Sequence, residues 1–398
     1  MTVFNAGLNT FANNYIIKRQ GEDEQNLAAT FHIEYNKCLS QIVEQLLLFD
    51  KVSIKVHAEN LPLVILLNEL GTKAVLQLAE EGVIEFIHWT QTLTTIQQDD
   101  HIGRMHPLQS GTYTSSVHID PAESVKLSFE RMRNPPTRKL RRDIERKLAQ
   151  LYRPLEKQIS EQSIEIVSSA YSSNKMAHLG LPNTKDISWL NHGERMKLLQ
   201  LADSVLETSV LSLNQYSSYD DYAYYAIAEP GFERITKAVH ISGNFQTILG
   251  VEQLPDIGLL LAERKIELKN LITLRNKKIS RQFRKWLNEK SVTEDSEYII
   301  GQYVNEVTGH KGFFETRKGK LIKVLSMFGI TTGLGAAGGG AVGSLLGAGA
   351  GVVAEKLSDI GLDLVDTYLL DGLLKGWQPK MFFDAYKKIT SDANCEQT

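Results

Sequence analysis

The spacing of apolar and polar residues predicts a small mixed α/β unit at the start of the chain. Strands are predicted at Lys51–Val56 and Val83–Trp89, and helices at 25–48, 61–70 and 73–80. The order strand, helices, strand defines a first domain over residues 1–110. No glycine-rich loop follows the strand at Lys51–Val56, so the pattern does not indicate a nucleotide site in this domain.

The middle of the chain has helical spacing throughout. A polar stretch over residues 91–117 predicts a linker or a long surface loop. From Asp120 and Pro121, an N-cap followed by proline at the first helical position, a second domain extends over residues 118–310 as the candidate ligand-sensing region. Helices are predicted near residues 121–133, 137–172, 192–213, 232–248, 256–288 and 295–307. We therefore expect a mainly α fold with a small N-terminal α/β unit.

The last hundred residues contain a long uncharged segment, Val324–Ala354. Its 31 residues include ten glycines and six alanines. As one helix it would measure about 46 Å, against roughly 30 Å for the hydrocarbon core of a bilayer. The segment therefore predicts either a tilted membrane helix or a membrane hairpin.

The spacing of the glycines in this segment is regular. They recur at every fourth position, at Gly335, Gly339, Gly343, Gly347 and Gly351. On a helix, each step of four residues turns by about 40°, so these glycines form a groove without side chains in which helices can pack closely. Since each interior glycine costs roughly 0.8–1 kcal/mol of helix propensity relative to alanine, such a helix needs a bilayer or tight packing against other copies. We expect these five glycines to pack a pore or an oligomer.

Charges of opposite sign flank the uncharged segment. The residues before it are basic and those after it are acidic: Arg317, Lys318, Lys320, Lys323, then Asp359, Asp363, Asp366 and Asp371. If the segment spans, the positive-inside rule keeps residue 320 in the cytoplasm, and a hairpin would return the acidic end to that side. A third domain, 318–377, thus combines the Gly-rich segment with an amphipathic helix, and a C-terminal tail covers 378–398.

Three other interpretations of the Gly-rich segment stay open. It could form a buried hairpin inside a soluble oligomer, or a flexible linker. The third is a nucleotide site, because residues 333–338 match G-x-G-x-x-G. That match is weak, since glycines occur throughout the segment and no β-α-β continuation follows.

Two segments of the chain are strongly basic. Residues 131–157 and residues 263–290 each hold ten Lys or Arg against three Asp or Glu, whereas the whole chain has a net charge of −3. Helical spacing places the candidate ligand or polyanion contacts on two stripes: Arg138, Arg142 and Arg146, then Lys277, Arg281, Arg284 and Lys285. Solvated helix faces are an equally good interpretation. Near the second stripe, Phe283 and Trp286 are expected in the core rather than as base-stacking platforms.

The sequence predicts neither a catalytic centre nor a metal or cofactor site. It contains no H-E-x-x-H motif, no P-loop with its lysine and no G-x-S-x-G elbow. Two cysteines, Cys38 and Cys395, are too few for a disulfide framework, which favours a reducing cytosol for the bulk of the chain. An enzyme that assembles its site from scattered residues stays open.

Two short stretches accompany a distinctive layout. They are Leu274-Arg-Asn-Lys-Lys with Phe283-Arg-Lys-Trp-Leu287, and Leu369 to Pro379. A sensor region followed by a late Gly-rich hydrophobic segment resembles the membrane effectors of bacterial antiphage defence, which arrest or kill the infected cell by opening its membrane. The resemblance covers about the last 130 residues and rests on layout. It implies that a regulatory protein or a nucleotide-type signal, such as a single-stranded oligonucleotide, controls a pore.

The expected function is therefore a ligand-regulated pore or ion channel formed by a homo-oligomer in the bacterial inner membrane, with most of the chain cytoplasmic. The alternative is a cytoplasmic, oligomeric protein that binds nucleic acid or protein and packs its Gly-rich hairpin internally. The two differ in whether the chain needs a membrane.

Overall fold

A computed structural model describes residues 1–17, 24–96, 106–156, 158–220, 232–262, 266, 268–291, 296–308 and 377–395. The chain is mostly helical and has a parallel sheet that begins near its N-terminus, which confirms the coarse fold class. It divides into two compact units, each built from two stretches of sequence. Unit 1 contains Met1–Asn13 and Lys51–Thr236, and unit 2 contains Asn14–Asp50 and Lys237–Thr398.

Unit 1 is organised around a five-stranded parallel sheet. Its strands are β1 (Thr2–Asn5), β2 (Lys51–Val56), β3 (Ile84–His88), β6 (Tyr152–Pro154) and β7 (Ser217–Ser218), in the spatial order β6-β3-β2-β1-β7. Almost every residue of β2 and β3 is buried, as expected for a parallel sheet covered on both faces.

The helices of unit 1 cover the sheet. They are α1 (Gly7–Tyr15), α3 (Leu61–Glu80), α4 (Ser116–Ile119), α5 (Pro121–Ser128), α6 (Arg138–Leu148), α7 (Ile159–Ser172) and α8 (His192–Asn214). Helix α8 packs on the face that presents Phe4 and Ile87, through Leu206 and Val210. Asn191 caps α8 in a capping box with Glu194, which fixes where this helix begins.

Helix α3 is long and predominantly apolar. Among the described residues, it alone is long and apolar enough to cross a membrane, and much of it is buried within unit 1. Its helical backbone is interrupted at Gly71, whose φ of 77° suits glycine, so the two predicted helices 61–70 and 73–80 are one kinked element.

The stretch predicted as a polar linker, 91–117, contains a β-hairpin instead. Strand β4 (Gln91–Thr95) pairs antiparallel with β5 (Leu108–Thr112). Leu108 is buried among residues of α7 and α8, including Val167 and Val205. The alternating Thr, Ser and Gln side chains are small and polar, which is why the hairpin has the composition of a loop.

Unit 2 is entirely helical in its described part. Its helices are α2 (Glu24–Leu48), α9 (Phe232–Val251), α10 (Ile257–Ala262), α11 (Leu268–Asn276), α12 (Lys278–Lys290), α13 (Ser296–Thr308) and α14 (Lys380–Cys395). Aromatic rings fill its core, with Phe283 stacked on Phe382 at a centroid distance of 4.2 Å and Phe245 stacked on Phe383 at 6.1 Å.

The two units do not follow the predicted domain boundaries. Helix α2, expected in the domain 1–110, belongs to unit 2, whereas the sheet of unit 1 takes its last strand from Ser217–Ser218. The helix predicted over 137–172 is interrupted by β6. The boundaries of the two units thus depend on contacts between residues that lie far apart in the sequence, which local apolar and polar spacing does not predict.

Candidate functional sites

The carboxyl edge of the sheet in unit 1 is where a ligand site is expected on topological grounds. From β1 the sheet grows through β2, β3 and β6 to one side, and β7 then pairs on the other side of β1. Open parallel sheets bind ligands outside the carboxyl ends of their strands, where the strand order reverses in this way. The residues at and just beyond the ends of β1, β2 and β7 are therefore of first interest.

Lys55, the penultimate residue of β2, is held at this edge by two contacts. Its Nζ lies 2.5 Å from Oε2 of Glu207 on α8, and 4.0 Å from the centroid of the Trp89 ring. Both side chains of the ion pair are largely buried. A cation placed over an indole face and beside a carboxylate is fixed in position.

Two further carboxylates face the same charges. Asp203 lies one helical turn before Glu207 on α8, and Asp220 follows β7. The pKa of each aspartate is raised to about 6, mainly by burial; the negative charge of Glu207 contributes to the rise, while Lys55 opposes it. For Asp220, a hydrogen bond with Ser218 also lowers the pKa.

We call Lys55, Asp203, Glu207 and Asp220 the carboxyl-edge cluster. It holds three carboxylates against a single ammonium, and perturbed pKa values of this kind concentrate at functional sites. Carboxylates can accept hydrogen bonds from ligand hydroxyl groups, while a lysine can pair with an anionic group. In the described part of the chain, no group of three or more His, Cys, Asp or Glu residues is placed to hold a metal ion.

Histidines form a second group at the ends of β2 and β3. The His57 ring lies 5.0 Å from the rings of both Tyr113 and His118, which stack on each other at 4.3 Å. Nε2 of His88 lies 3.1 Å from the backbone oxygen of Val117. Burial lowers the pKa of His57 to about 4, helped by the charges of His118 and Lys55, and burial also lowers the pKa values of His88 and His118. The rings are therefore neutral at neutral pH.

Glu85 of β3 is buried within the sheet, but its carboxylate is already occupied. It accepts hydrogen bonds from Ser53, from Tyr216 at 2.5 Å and from Lys51 at 2.9 Å, and Arg153 pairs with it at 2.8 Å. Burial alone would raise the pKa of Glu85, yet the hydrogen bonds outweigh burial and lower it. This network satisfies a buried charge and offers nothing to a ligand.

The first predicted stripe lies on the surface of unit 1. Arg138, Arg142 and Arg146 are exposed on α6, while Ile144 and Leu148 of the same helix are buried. Arg146 pairs with Asp143 at 2.7 Å. Within the described residues, the structure shows no ion pair at Arg138 or Arg142.

The second predicted stripe is divided between surface and core. Lys277, Arg281 and Lys285 are exposed, but Arg284 is buried. Arg284 Nη1 lies 3.3 Å from the carbonyl oxygen of Leu47 and 3.2 Å from that of Arg275. Arg284 therefore does not belong to an exposed binding surface.

Arg275 supports the same turn of chain. Its guanidinium donates to the carbonyl oxygens of Leu46, of Phe49 at 2.7 Å and of Asp50 at 2.8 Å. These carbonyl groups lie in the last turn of α2 or just beyond it, where side-chain donors commonly satisfy backbone acceptors and a cation complements the helix dipole. The expectation that Phe283 and Trp286 lie in the core is confirmed, since both are buried.

The five glycines predicted to pack a pore, Gly335, Gly339, Gly343, Gly347 and Gly351, lie outside the described residues. The carboxyl-edge cluster, by contrast, was not expected from the sequence. The sequence signals for it were the i, i+4 pair Asp203 and Glu207 and a lysine near the end of a predicted strand. These signals gain meaning only when β1 is known to pair with that strand and β7 with β1.

Comparison with known proteins adds no relative: no protein-family model, curated protein or solved structure matches this chain.

Proposed function

We propose that the chain is an oligomeric membrane effector that forms a ligand-regulated pore, of the kind that serves bacterial antiviral defence. The observation that carries the proposal is the uncharged segment Val324–Ala354 with a glycine at every fourth position. Glycine grooves let several copies pack backbone to backbone, and small residues leave an ion-sized path between them.

Unit 1 supplies the ligand-sensing part of this proposal. The carboxyl-edge cluster offers hydrogen-bond acceptors and one ammonium at the position where parallel sheets take ligands. A nucleotide-type ligand fits this chemistry, because ribose hydroxyls can donate to Asp203 or Asp220 while a phosphate pairs with Lys55. Such a ligand would compete with Glu207 for Lys55 and so change how α8 is held on the sheet.

The pore is tested by conductance across planar bilayers. The double variant Gly339→Leu/Gly343→Leu fills the groove and is expected to abolish conductance. The matched control is Gly333→Leu/Gly349→Leu, which adds the same volume. Each of these glycines lies two positions from a groove glycine, about 200° away around a helix, so this variant should conduct. Equal conductance in both double variants, or in neither, would remove the basis for the proposal.

The sensing role is tested by titrating the full chain with ATP and with a short single-stranded DNA. We expect Lys55→Ala to weaken binding of the active probe by at least tenfold. The control is Lys139→Ala, which removes an exposed lysine of α6, away from the carboxyl-edge cluster, and should leave binding of that probe unchanged. Binding that survives Lys55→Ala unchanged would place the ligand elsewhere.

A second candidate function is favoured by α6. A soluble oligomer that binds nucleic acid would use the exposed arginines of this helix, Arg138 and Arg142 above all, to contact phosphates. Such binding weakens steeply with salt, by roughly 0.7 in the log–log slope per contacted phosphate of a single strand. Strong, salt-sensitive binding by a chain that stays in solution would support this candidate over the pore.

A further inference from the structure

The helices on either side of residues 309–379 lie in the same compact unit. Helix α13 ends at Thr308 and α14 begins at Lys380, and both belong to unit 2. The Gly-rich segment and its charged flanks fall between these two helices. The contacts between α13 and α14 therefore limit where residues 309–379 can begin and end.

One carboxylate holds both helices. Tyr303 of α13 donates its hydroxyl to Oε1 of Glu252 at 2.5 Å, and Nζ of Lys380 in α14 lies 2.9 Å from Oε2 of the same residue. Both ends of the Lys380–Glu252 ion pair are more than four-fifths buried. A buried pair of this kind is costly to break, because either charge would be left without a partner.

Aromatic packing joins the same two helices next to this carboxylate. The rings of Tyr303 and Phe383 meet edge to face at 5.7 Å, and Phe383 is buried against Phe245 and Phe283. Further along α14, Tyr386 donates to the carbonyl oxygen of Pro255 at 3.0 Å. Helix α14 is thus an integral part of the core of unit 2.

We infer that α13 and α14 hold the two ends of residues 309–379 together, so that this segment enters and leaves a membrane from the same side and crosses it an even number of times. The inference rests on the proposed membrane function and decides between the single span and the hairpin that the sequence leaves open. Two short crossings need about 34 predominantly apolar residues, so a hairpin uses the 31 residues of Val324–Ala354 together with apolar residues that flank them. Arg317, Lys318, Lys320 and Lys323 place the shared side in the cytoplasm.

The joining of the two ends is tested first, with or without a membrane. In a Cys38→Ser/Cys395→Ser background, the pair Glu306→Cys/Asp384→Cys leaves the Glu252–Lys380 ion pair intact and uses exposed positions of α13 and α14 near Tyr303 and Phe383. It is treated with a flexible bismaleimide, and a protease site between Lys375 and Gly376 is then cut. We expect the fragment that carries α14 to stay attached to the rest of the chain on a denaturing gel. The same chain treated with the linker in urea is the control and should release that fragment. Release of the fragment from the native chain as well would overturn the inference.

The sidedness is tested by a membrane-impermeant maleimide on sealed vesicles. Glu306→Cys and Lys388→Cys report the two sides of the segment, since both positions are exposed on α13 and α14. We expect both cysteines to react in inside-out vesicles and neither to react in right-side-out vesicles. Reaction of the two cysteines from opposite sides would contradict an even number of crossings.

The two experiments separate the inference from the function it rests on. A chain that crosslinks between α13 and α14 but is absent from the membrane fraction would defeat the pore and leave the joined ends standing. A membrane-bound chain that fails to crosslink would defeat the inference and leave the pore standing.

Discussion

The two basic segments of this chain have the same net charge but differ in how deeply their arginine side chains are buried. Residues 131–157 and 263–290 each carry ten Lys or Arg against three Asp or Glu. In unit 1, helix α6 leaves Arg138, Arg142 and Arg146 in solvent. In unit 2, Arg275 and Arg284 are buried and donate to backbone carbonyls near the end of α2. The first segment thus presents its arginine stripe to solvent, whereas the second is divided between exposed basic residues and two buried arginines that brace the core.

The phase of each arginine relative to the apolar residues explains the difference. In α6, Arg142 and Arg146 each stand two positions before a buried residue, Ile144 or Leu148, which places them about 200° away around the helix. In α12, Arg284 lies directly after buried Phe283 and three positions before buried Leu287, so it shares their face. Charge counts therefore predict neither exposure nor function, whereas phase carries part of that information.

The largest difference in stability between the two segments is expected on replacing Arg275. Replacing Arg275 by methionine removes the guanidinium that donates to the carbonyl groups of Leu46, Phe49 and Asp50. We expect the free energy of unfolding to fall by about 3–5 kcal/mol in urea denaturation of the full chain.

Arg281→Met is the matched control for that experiment. Arg281 is exposed on α12, so its replacement should change the free energy of unfolding by less than about 0.5 kcal/mol. Similar small losses in both variants would show that the buried arginines do not brace unit 2.

Acid should distinguish the units by acting on the histidines of unit 1. The pKa of His57 is about 4 in the folded chain, against 6.5 ordinarily, because burial disfavours the charged ring. The unfolded chain therefore binds the proton more tightly. The free energy of unfolding is therefore highest above pH 6.5, where His57 is neutral in both states. It falls as the pH is lowered from 6.5 towards 4, and this contribution is fully lost below pH 4. Since water still reaches part of the ring, we expect a loss of roughly 2 kcal/mol, measured by urea denaturation at stepped pH.

His57→Gln should flatten this pH dependence. His178→Gln, at an exposed position, should leave the dependence unchanged. The burial of His88 and His118 lowers their pKa values too, so part of the slope should persist in the His57 variant. An unaltered slope in His57→Gln would exclude His57 as its source.

The smallest effect on stability is expected on α6, where the comparison can be sharpened by binding. Arg138→Ala/Arg142→Ala should alter the free energy of unfolding by less than about 0.5 kcal/mol. If α6 contacts a polyanion, the same variant should lower the log–log salt slope for single-stranded DNA by about 1.4, for two phosphate contacts. Arg281→Ala/Lys285→Ala removes two exposed charges from α12 and serves as the control; an equal effect of the two pairs would mean that no particular surface is used.

Much of the sheet's centre was predictable from the sequence, and its edges were not. The spacing predicts β2 over Lys51–Val56 with its observed bounds, and β3 to within a residue at each end. Strands β6 and β7 are three and two residues long, too short for any periodicity to register. Strand β1 was missed as well, and with it the pairing that places β7 beside it.

The candidate site shows the same limit. Arg138, Arg142 and Arg146 could be predicted as a surface stripe because their spacing lies within one helix. The carboxyl-edge cluster could not, since Lys55, Glu207 and Asp220 come from β2, α8 and the end of β7 and meet only through long-range pairing. Arg284 looked like a ligand contact because nothing local reveals that the carbonyl of Leu47 lies beside it.

The most direct test of the proposed function is whether the full chain is an integral membrane protein. Expressed in bacteria, it should remain in the pellet when isolated membranes are washed with alkaline carbonate, because an inserted segment is not released with peripheral proteins. Complete recovery in the supernatant without detergent would contradict the membrane effector and favour the soluble polyanion-binding protein.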